Sequence, residues 1–122
     1  MGQTLCDVIL RRADYRCAWC GSKLMLSGVV CKLDASENDS AMVASCAECA
    51  REYAKWWPAG QSYLVENAKR FLGRCSRTGS SPFVDYLEGK TAGRGYLLPF
   101  NTALARVEAQ RNALLDLRRK VA

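Results

Sequence analysis

The sequence predicts an α+β protein: a small metal-bound module over residues 1–60, followed by a basic, mainly helical half over residues 61–122 that packs on it. Two C-x2-C pairs with 25 residues between them predict the module: Cys17 with Cys20, and Cys46 with Cys49. Helical spacing of apolar residues after residue 61 predicts the second half. A chain of 122 residues fits one domain, or one small domain with a helical extension.

The first half begins with a predicted helix over residues 5–13, because Thr4 and Asp7 have the spacing of a helix N-terminal cap. The first cysteine pair then predicts a tight knuckle. Gly21 permits that turn, whose backbone N–H groups can point at the sulfurs. Val- and Leu-rich segments around Ser27-Gly28 predict a β-hairpin with strands over 23–26 and 29–33.

The second cysteine pair lies at the start of a predicted helix over residues 47–57, after a polar loop over 35–40. Pro58 and Gly60 end that helix. Cys49 in its first turn is suited to be a thiolate, because the positive end of the helix dipole stabilises negative charge. The aromatic residues of the helix are predicted core or interface residues, with base stacking as the alternative: Tyr53, Trp56 and Trp57.

The second half predicts three helices separated by polar loops. An amphipathic helix over 62–73 is followed by a Gly/Ser loop over 74–81 and a short helix over 82–87. After a flexible stretch over 91–95, Asn101 is expected to cap a final helix over 102–120. The apolar stripe of that final helix predicts a packing or homodimer face: Leu104, Val107, Leu114, Leu115 and Val121.

Four cysteines in this spacing predict one structural Zn²⁺ per chain, bound by Cys17, Cys20, Cys46 and Cys49. Four thiolates leave no open coordination position, so the metal is expected to be structural. Iron in a rubredoxin-like site is the alternative, although Ala50 replaces the glycine usual after the second pair of such sites. The remaining cysteines are predicted to be buried apolar residues or bystanders: Cys6, Cys31 and Cys75.

The segment Ile-Leu-Arg-Arg-Ala-Asp-Tyr-Arg-Cys-Ala-Trp-Cys-Gly, which ends at Gly21, resembles the entry to the zinc-supported HNH endonucleases. In that family a short helix and a C-x2-C-G pair precede a ββα-metal motif. Its second cysteine pair lies at the start of the α element, as Cys46 and Cys49 do here. The resemblance covers residues 5–57 and implies a treble-clef, HNH-like ββα module.

The positions that would catalyse in that family hold other residues here. The family carries Asp-His at the end of the first strand, where this chain has Asp34-Ala35, and its two further positions correspond to Ala41 and Ala50. A lone carboxylate without an imidazole base does not activate water in the family's way. The resemblance therefore implies an inactive nuclease rather than an enzyme. A nuclease with an unusual site at Asp34 and Glu37 is a competing interpretation.

The net charge of the protein comes entirely from its second half. Residues 1–60 carry seven basic and seven acidic side chains, whereas residues 61–122 carry eleven and five, which accounts for the net charge of +6. This asymmetry predicts a polyanionic partner, either nucleic acid or an acidic protein. Four cations between Glu66 and Asp85 form the predicted nucleic-acid-binding patch: Lys69, Arg70, Arg74 and Arg77.

Two functions follow as expectations. The first is a non-catalytic nucleic-acid-binding protein, with DNA favoured over RNA, that binds mainly through phosphates and through a second half that the cysteines do not reach. The second is a small protein-interaction module, an inhibitor or adaptor of the kind phages and mobile elements encode, acting on a nucleic-acid-processing partner. No secretory signal and no run of 18 apolar residues is visible, so a cytoplasmic protein without membrane contact is expected.

Overall fold

The computed structural model describes residues 5–25, 28–33, 41–56, 64–77, 79, 81–90, 98–104 and 108–121. Over these residues the chain forms two strands and six helices, in the order α1 (Leu5–Arg12), β1 (Val29–Lys32), β2 (Met42–Ser45), α2 (Ala47–Trp56), α3 (Leu64–Cys75), α4 (Pro82–Leu87), α5 (Leu98–Ala103) and α6 (Glu108–Val121). The predicted α+β class is confirmed.

The sheet pairs β1 with β2 in antiparallel register, with Val30 opposite Ala44 and Cys31 opposite Val43. The predicted strand over 23–26 was wrong for its described residues, 23–25, and residue 26 lies outside the described part of the chain. Lys23 forms only an isolated bridge, and the N–H of Leu24 donates to the carbonyl of Tyr15 at 2.6 Å, so this segment closes the turn after α1. All four residues of β2 are buried, three of them apolar, so pairing β1 with β2 places a mainly apolar strand in the interior.

Helix α3 runs two residues beyond its predicted end, because the buried stripe continues to Cys75. That stripe follows helical spacing: Ala68, Phe71, Leu72 and Cys75. The face packs mainly against α2 and also against α6. The predicted loop over 74–81 therefore begins only after Cys75, and Ser81 ends it by capping α4, with its hydroxyl accepting from the N–H of Val84 at 3.2 Å.

The predicted final helix is divided into α5 and α6, and Asn101 lies inside α5 rather than at a cap. Pro99, at the second position of α5, favours a separate helix start, and Phe100 anchors that helix in the core. Helix α6 packs against α3 and α4. Leu114 is buried and Leu115 half-buried, so this part of the predicted stripe packs within the chain.

The core is centred on Trp19, which lies between the two cysteines of the first pair and is fully buried. Its ring centroid lies 4.8 Å from that of Tyr53, 5.1 Å from Phe71, 5.0 Å from Phe83 and 5.3 Å from Phe100. The buried residues of both halves form one cluster. The second half therefore packs on the first, while the boundary at residue 60 stays a prediction.

Several predicted features lie outside the described residues, namely the loop over 35–40, Asp34, Ala35, Glu37, Trp57, the stretch over 91–95, and Val107 with the side chain of Val121. Within the described ranges, no helix is long and apolar enough to cross a lipid bilayer.

Candidate metal centre

The two C-x2-C pairs come together in space as the sequence predicts. The Sγ atoms of Cys17, Cys20, Cys46 and Cys49 all lie within 4.8 Å of one another, and the Cys20 and Cys46 sulfurs are 4.0 Å apart. Thiolates bound to Zn²⁺ at about 2.3 Å in a tetrahedron are about 3.8 Å apart. The four sulfurs therefore have nearly the spacing that a tetrahedral metal ion requires, and this cluster can hold one.

Backbone hydrogen bonds within the turn, and from the turn to neighbouring elements, hold the knuckle of the first cysteine pair in place. Within the turn, the N–H of Gly21 donates to the carbonyl of Cys17 at 2.9 Å, and Gly21 adopts a positive φ of 75° that favours glycine. Outside it, the N–H of Ala18 donates to Ala44 of β2, and the carbonyl of Ala18 accepts from Phe83 of α4, both at 2.9 Å. The knuckle is therefore held between the sheet and the second half of the chain.

The second pair spans the junction of β2 and α2. Cys46 precedes the helix, and its Sγ accepts from the backbone N–H of Cys49 at 3.4 Å, in the manner of a helix N-cap. Cys49 lies in the first turn of α2, as predicted. Both sulfurs are thus close to the positive end of the helix dipole, which opposes the effect of burial on their thiolate forms.

Hydrogen bonds and burial set the acidity of these thiols. A hydrogen bond from Cys49, together with the backbone N–H groups of Cys20, Cys46 and Trp19, lowers the pKa of Cys17 to about 4 despite its burial. The same bond raises the pKa of Cys49, and burial raises the pKa of Cys46. Metal binding at neutral pH therefore has to displace protons from Cys49 and Cys46, so metal affinity falls as the pH is lowered.

Arg74 of α3 lies directly against the cluster, which sequence reasoning did not foresee. Its Nε donates to the Sγ of Cys49 at 3.3 Å, and its Nη2 pairs with a carboxylate oxygen of Glu48. Burial lowers the pKa of Arg74, but its bonds to Cys49, Cys46 and Glu48 outweigh that effect and raise it. With a divalent cation bound, the four thiolates would carry a net charge of −2, which this guanidinium would partly neutralise. The expectation that the cysteines do not reach the second half was therefore wrong.

We expect Arg74→Gln to weaken metal binding about 10-fold, because partners that hydrogen-bond to metal ligands typically contribute 10- to 100-fold to metal affinity. Competition with a chromogenic chelator measures the affinity. Arg70→Gln is the matched control, since it removes the same charge from an exposed position of the same helix. Equal affinities of the Arg74→Gln and Arg70→Gln proteins would contradict a role of Arg74 at the centre.

The other cysteines behave as predicted, as buried or half-buried free thiols. Cys75 is fully buried, and burial raises its pKa. Cys31 faces inward from β1, close to Trp19 and Ser45, and burial raises its pKa to about 11. Both therefore stay protonated at neutral pH. Cys6 is half-buried on α1.

The remaining predicted site residues take different positions. Lys69, Arg70 and Arg77 are exposed, and Lys69 makes an ion pair with Glu66 at 3.6 Å.

Ala41 is buried beside β2, where its carbonyl accepts from the N–H of Leu33 at 2.7 Å, and Ala50 is half-buried on α2. Neither alanine offers a side chain that binds a cation or moves a proton.

Neither a protein-family model nor a curated protein nor a solved structure matches this chain.

Proposed function

We propose that the chain is a non-catalytic, zinc-stabilised protein that binds nucleic acid through the second half of the chain. Zinc suits a site of four thiolates with tetrahedral spacing, and such a site leaves no coordination position for substrate or water. The sequence also contains no histidine to act as a general base. These observations support a structural metal and disfavour an enzyme.

The observation that carries the binding proposal is the position of two exposed arginines on α3 and the turn that follows it. Arg70 lies on α3, Arg77 lies in the turn that follows Cys75, and both are exposed. Arg74 lies between them in sequence and contacts the metal centre. This contact ties α3 to the candidate metal centre, and the two exposed cations on the helix and the turn after it can contact phosphate groups.

An HNH-like origin of the module is part of the proposal. The order β1, β2, α2 is the ββα order of that family, and the second cysteine pair lies at the β2–α2 junction. Alanines occupy the positions that correspond to catalytic residues, at Ala35, Ala41 and Ala50. We infer that the module is a treble-clef scaffold that retains its metal ligands and lacks the catalytic residues.

Fluorescence anisotropy with duplex and single-stranded DNA and RNA, repeated over a range of salt concentrations, tests this function. We expect binding with weak sequence preference that falls steeply with salt. Replacing Arg70 and Arg77 together by Gln should lower the slope of log K against log salt by about 2 on duplex DNA. The matched control replaces Arg51 and Lys55 by Gln, since both are exposed on α2 in the electrically neutral half.

An absence of binding to every nucleic acid at low salt would refute the function. An equal loss of slope in the Arg51/Lys55 control would show that overall charge, and not this pair of arginines, drives binding.

A protein-interaction module is the second candidate function, and one observation favours it. Leu5 and Val8 are 47% and 38% exposed and lie three residues apart on α1, so they form an apolar patch on one helix face. Co-purification of one stoichiometric protein, free of nucleic acid and lost in a Leu5→Glu, Val8→Glu variant, would support this candidate over the first.

A further inference from the structure

A surface cleft beside the first cysteine pair combines apolar and cationic side chains that the metal centre does not use. It has a volume of about 370 Å³ and is lined by Asp14, Tyr15, Arg16, Lys23, Leu24 and Met25. Tyr15 is 41% exposed and Met25 is 69% exposed, whereas Leu24 is buried. The ring of Tyr15 and the thioether of Met25 are therefore exposed to solvent in the cleft, whereas Leu24 contributes a buried apolar part of its lining.

The backbone holds the tyrosine in a conformation that its side chain disfavours. Asp14 and Tyr15 both have a φ of 55°, in the left-handed region that glycine and asparagine adopt more readily than tyrosine. The N–H of Tyr15 donates to the carbonyl of Leu10 at 2.9 Å, and its own carbonyl accepts from Leu24 at 2.6 Å. These bonds explain how the turn is maintained, but they involve only the backbone and do not require an aromatic side chain.

The cations of the cleft lie side by side. An antiparallel bridge pairs Arg16 with Lys23, so both side chains leave the backbone on the same face. Both residues are exposed. Arg16 donates to the carbonyl of Gly21 at 3.3 Å, and no carboxylate of the described residues lies within ion-pairing distance of either cation. Both charges are thus available to an anionic ligand.

We propose that this cleft binds single-stranded nucleic acid, with one base stacked on Tyr15 and the neighbouring phosphates on Arg16 and Lys23. Exposed aromatic rings next to unpaired cations suit a ligand that carries planar bases on a charged backbone. A duplex hides the faces of its bases, so the cleft selects single strands. The Asp14 carboxylate repels phosphate but can accept a hydrogen bond from an exocyclic amino group of the base.

The inference deepens the proposed function and rests on it, since it adds a base-contacting site to a phosphate-contacting one. The test uses the metal-loaded full chain and a short fluorescent single-stranded oligonucleotide, with a strand of equal charge made of abasic sites as the matched ligand. Tyr15→Leu should weaken binding of the normal strand about 5- to 100-fold, because it removes one stacked base. Tyr15→Phe keeps the ring and should bind like the unmodified protein.

Salt dependence separates the two kinds of contact. Tyr15→Leu should leave the slope of log K against log salt unchanged, whereas Lys23→Gln should lower it by about 0.7 on a single strand. The abasic strand should bind more weakly than the normal one and should be insensitive to Tyr15→Leu.

Tyr15→Asn should raise the midpoint of thermal unfolding while it weakens binding, because asparagine tolerates the left-handed backbone.

Failure of this inference is distinguishable from failure of the proposed function. If the unmodified protein binds nucleic acid and replacement of Arg70 and Arg77 weakens it, but Tyr15→Leu has no effect, the cleft proposal is overturned and the function stands. Equal binding of normal and abasic strands overturns the cleft proposal as well. If no nucleic acid binds and a protein partner is lost on Tyr15→Leu, both proposals fail.

Discussion

Cys49→Ser is expected to release the metal and unfold the protein. Four thiolates bind a structural Zn²⁺ with an apparent free energy of about 10–16 kcal/mol in small domains, most of which is folding free energy. The centre links the knuckle, the β2–α2 junction and, through Arg74, the end of α3. Removal of one ligand therefore disrupts the contacts between all of these elements. Metal analysis together with circular dichroism measures both losses, and Cys17→Ser should behave in the same way.

Cys6→Ser is the matched control, because Cys6 is a half-buried free thiol outside the cluster. It should keep its metal and its unfolding midpoint. Chelation of the unmodified protein should reproduce the Cys49→Ser result, and acidification should release the metal, since protons compete for the thiolates. A Cys49→Ser protein that stays folded without metal would contradict the account.

Trp19→Ala is expected to lower the free energy of unfolding by about 3–5 kcal/mol, the usual cost of truncating a large buried aromatic residue. Trp19 is fully buried and packs against Tyr53, Phe71, Phe83 and Phe100. Its truncation leaves a cavity between the first cysteine pair and three helices of the second half, α3, α4 and α5. Urea unfolding at a fixed zinc concentration measures the change.

Trp19→Phe should cost less than Trp19→Ala. It keeps an aromatic ring and removes an indole N–H that is buried without a hydrogen-bond partner among the described residues. Val65→Ala is the control for truncation itself, since Val65 is 47% exposed and its loss should change the free energy of unfolding by less than about 0.5 kcal/mol. A Trp19→Ala protein as stable as the control would show that the two halves do not share one core.

The parts of the fold that the sequence predicts are those set by local chemistry. Cysteine spacing predicts the metal cluster, and proline, glycine and apolar periodicity predict α1, α2 and α4 to within a residue at each end. The partner of β1 could not be predicted, because the short apolar run of β2 suits a strand or the approach to a helix equally well. Register depends on burial, which only the assembled core decides.

Contacts between distant segments account for the rest. Arg74 lies on the border of the apolar stripe of α3, and its neighbours along the chain suggest a solvated cation. One signal was available in the sequence. Four thiolates and one divalent metal ion leave a net negative charge, which favours a partly buried cation such as Arg74 beside the cluster. The same applies to Trp19, whose role as the centre of the core depends on Phe71, Phe83 and Phe100, which lie more than 50 residues away in sequence.

Zinc-edge X-ray absorption of the purified protein tests the central claim most directly, because it reports the metal and its nearest neighbours together. The account predicts zinc surrounded by four sulfur atoms at about 2.3 Å. A shell with fewer than four sulfurs, completed by oxygen or nitrogen, would contradict it, because such a metal has an open position and can take part in chemistry.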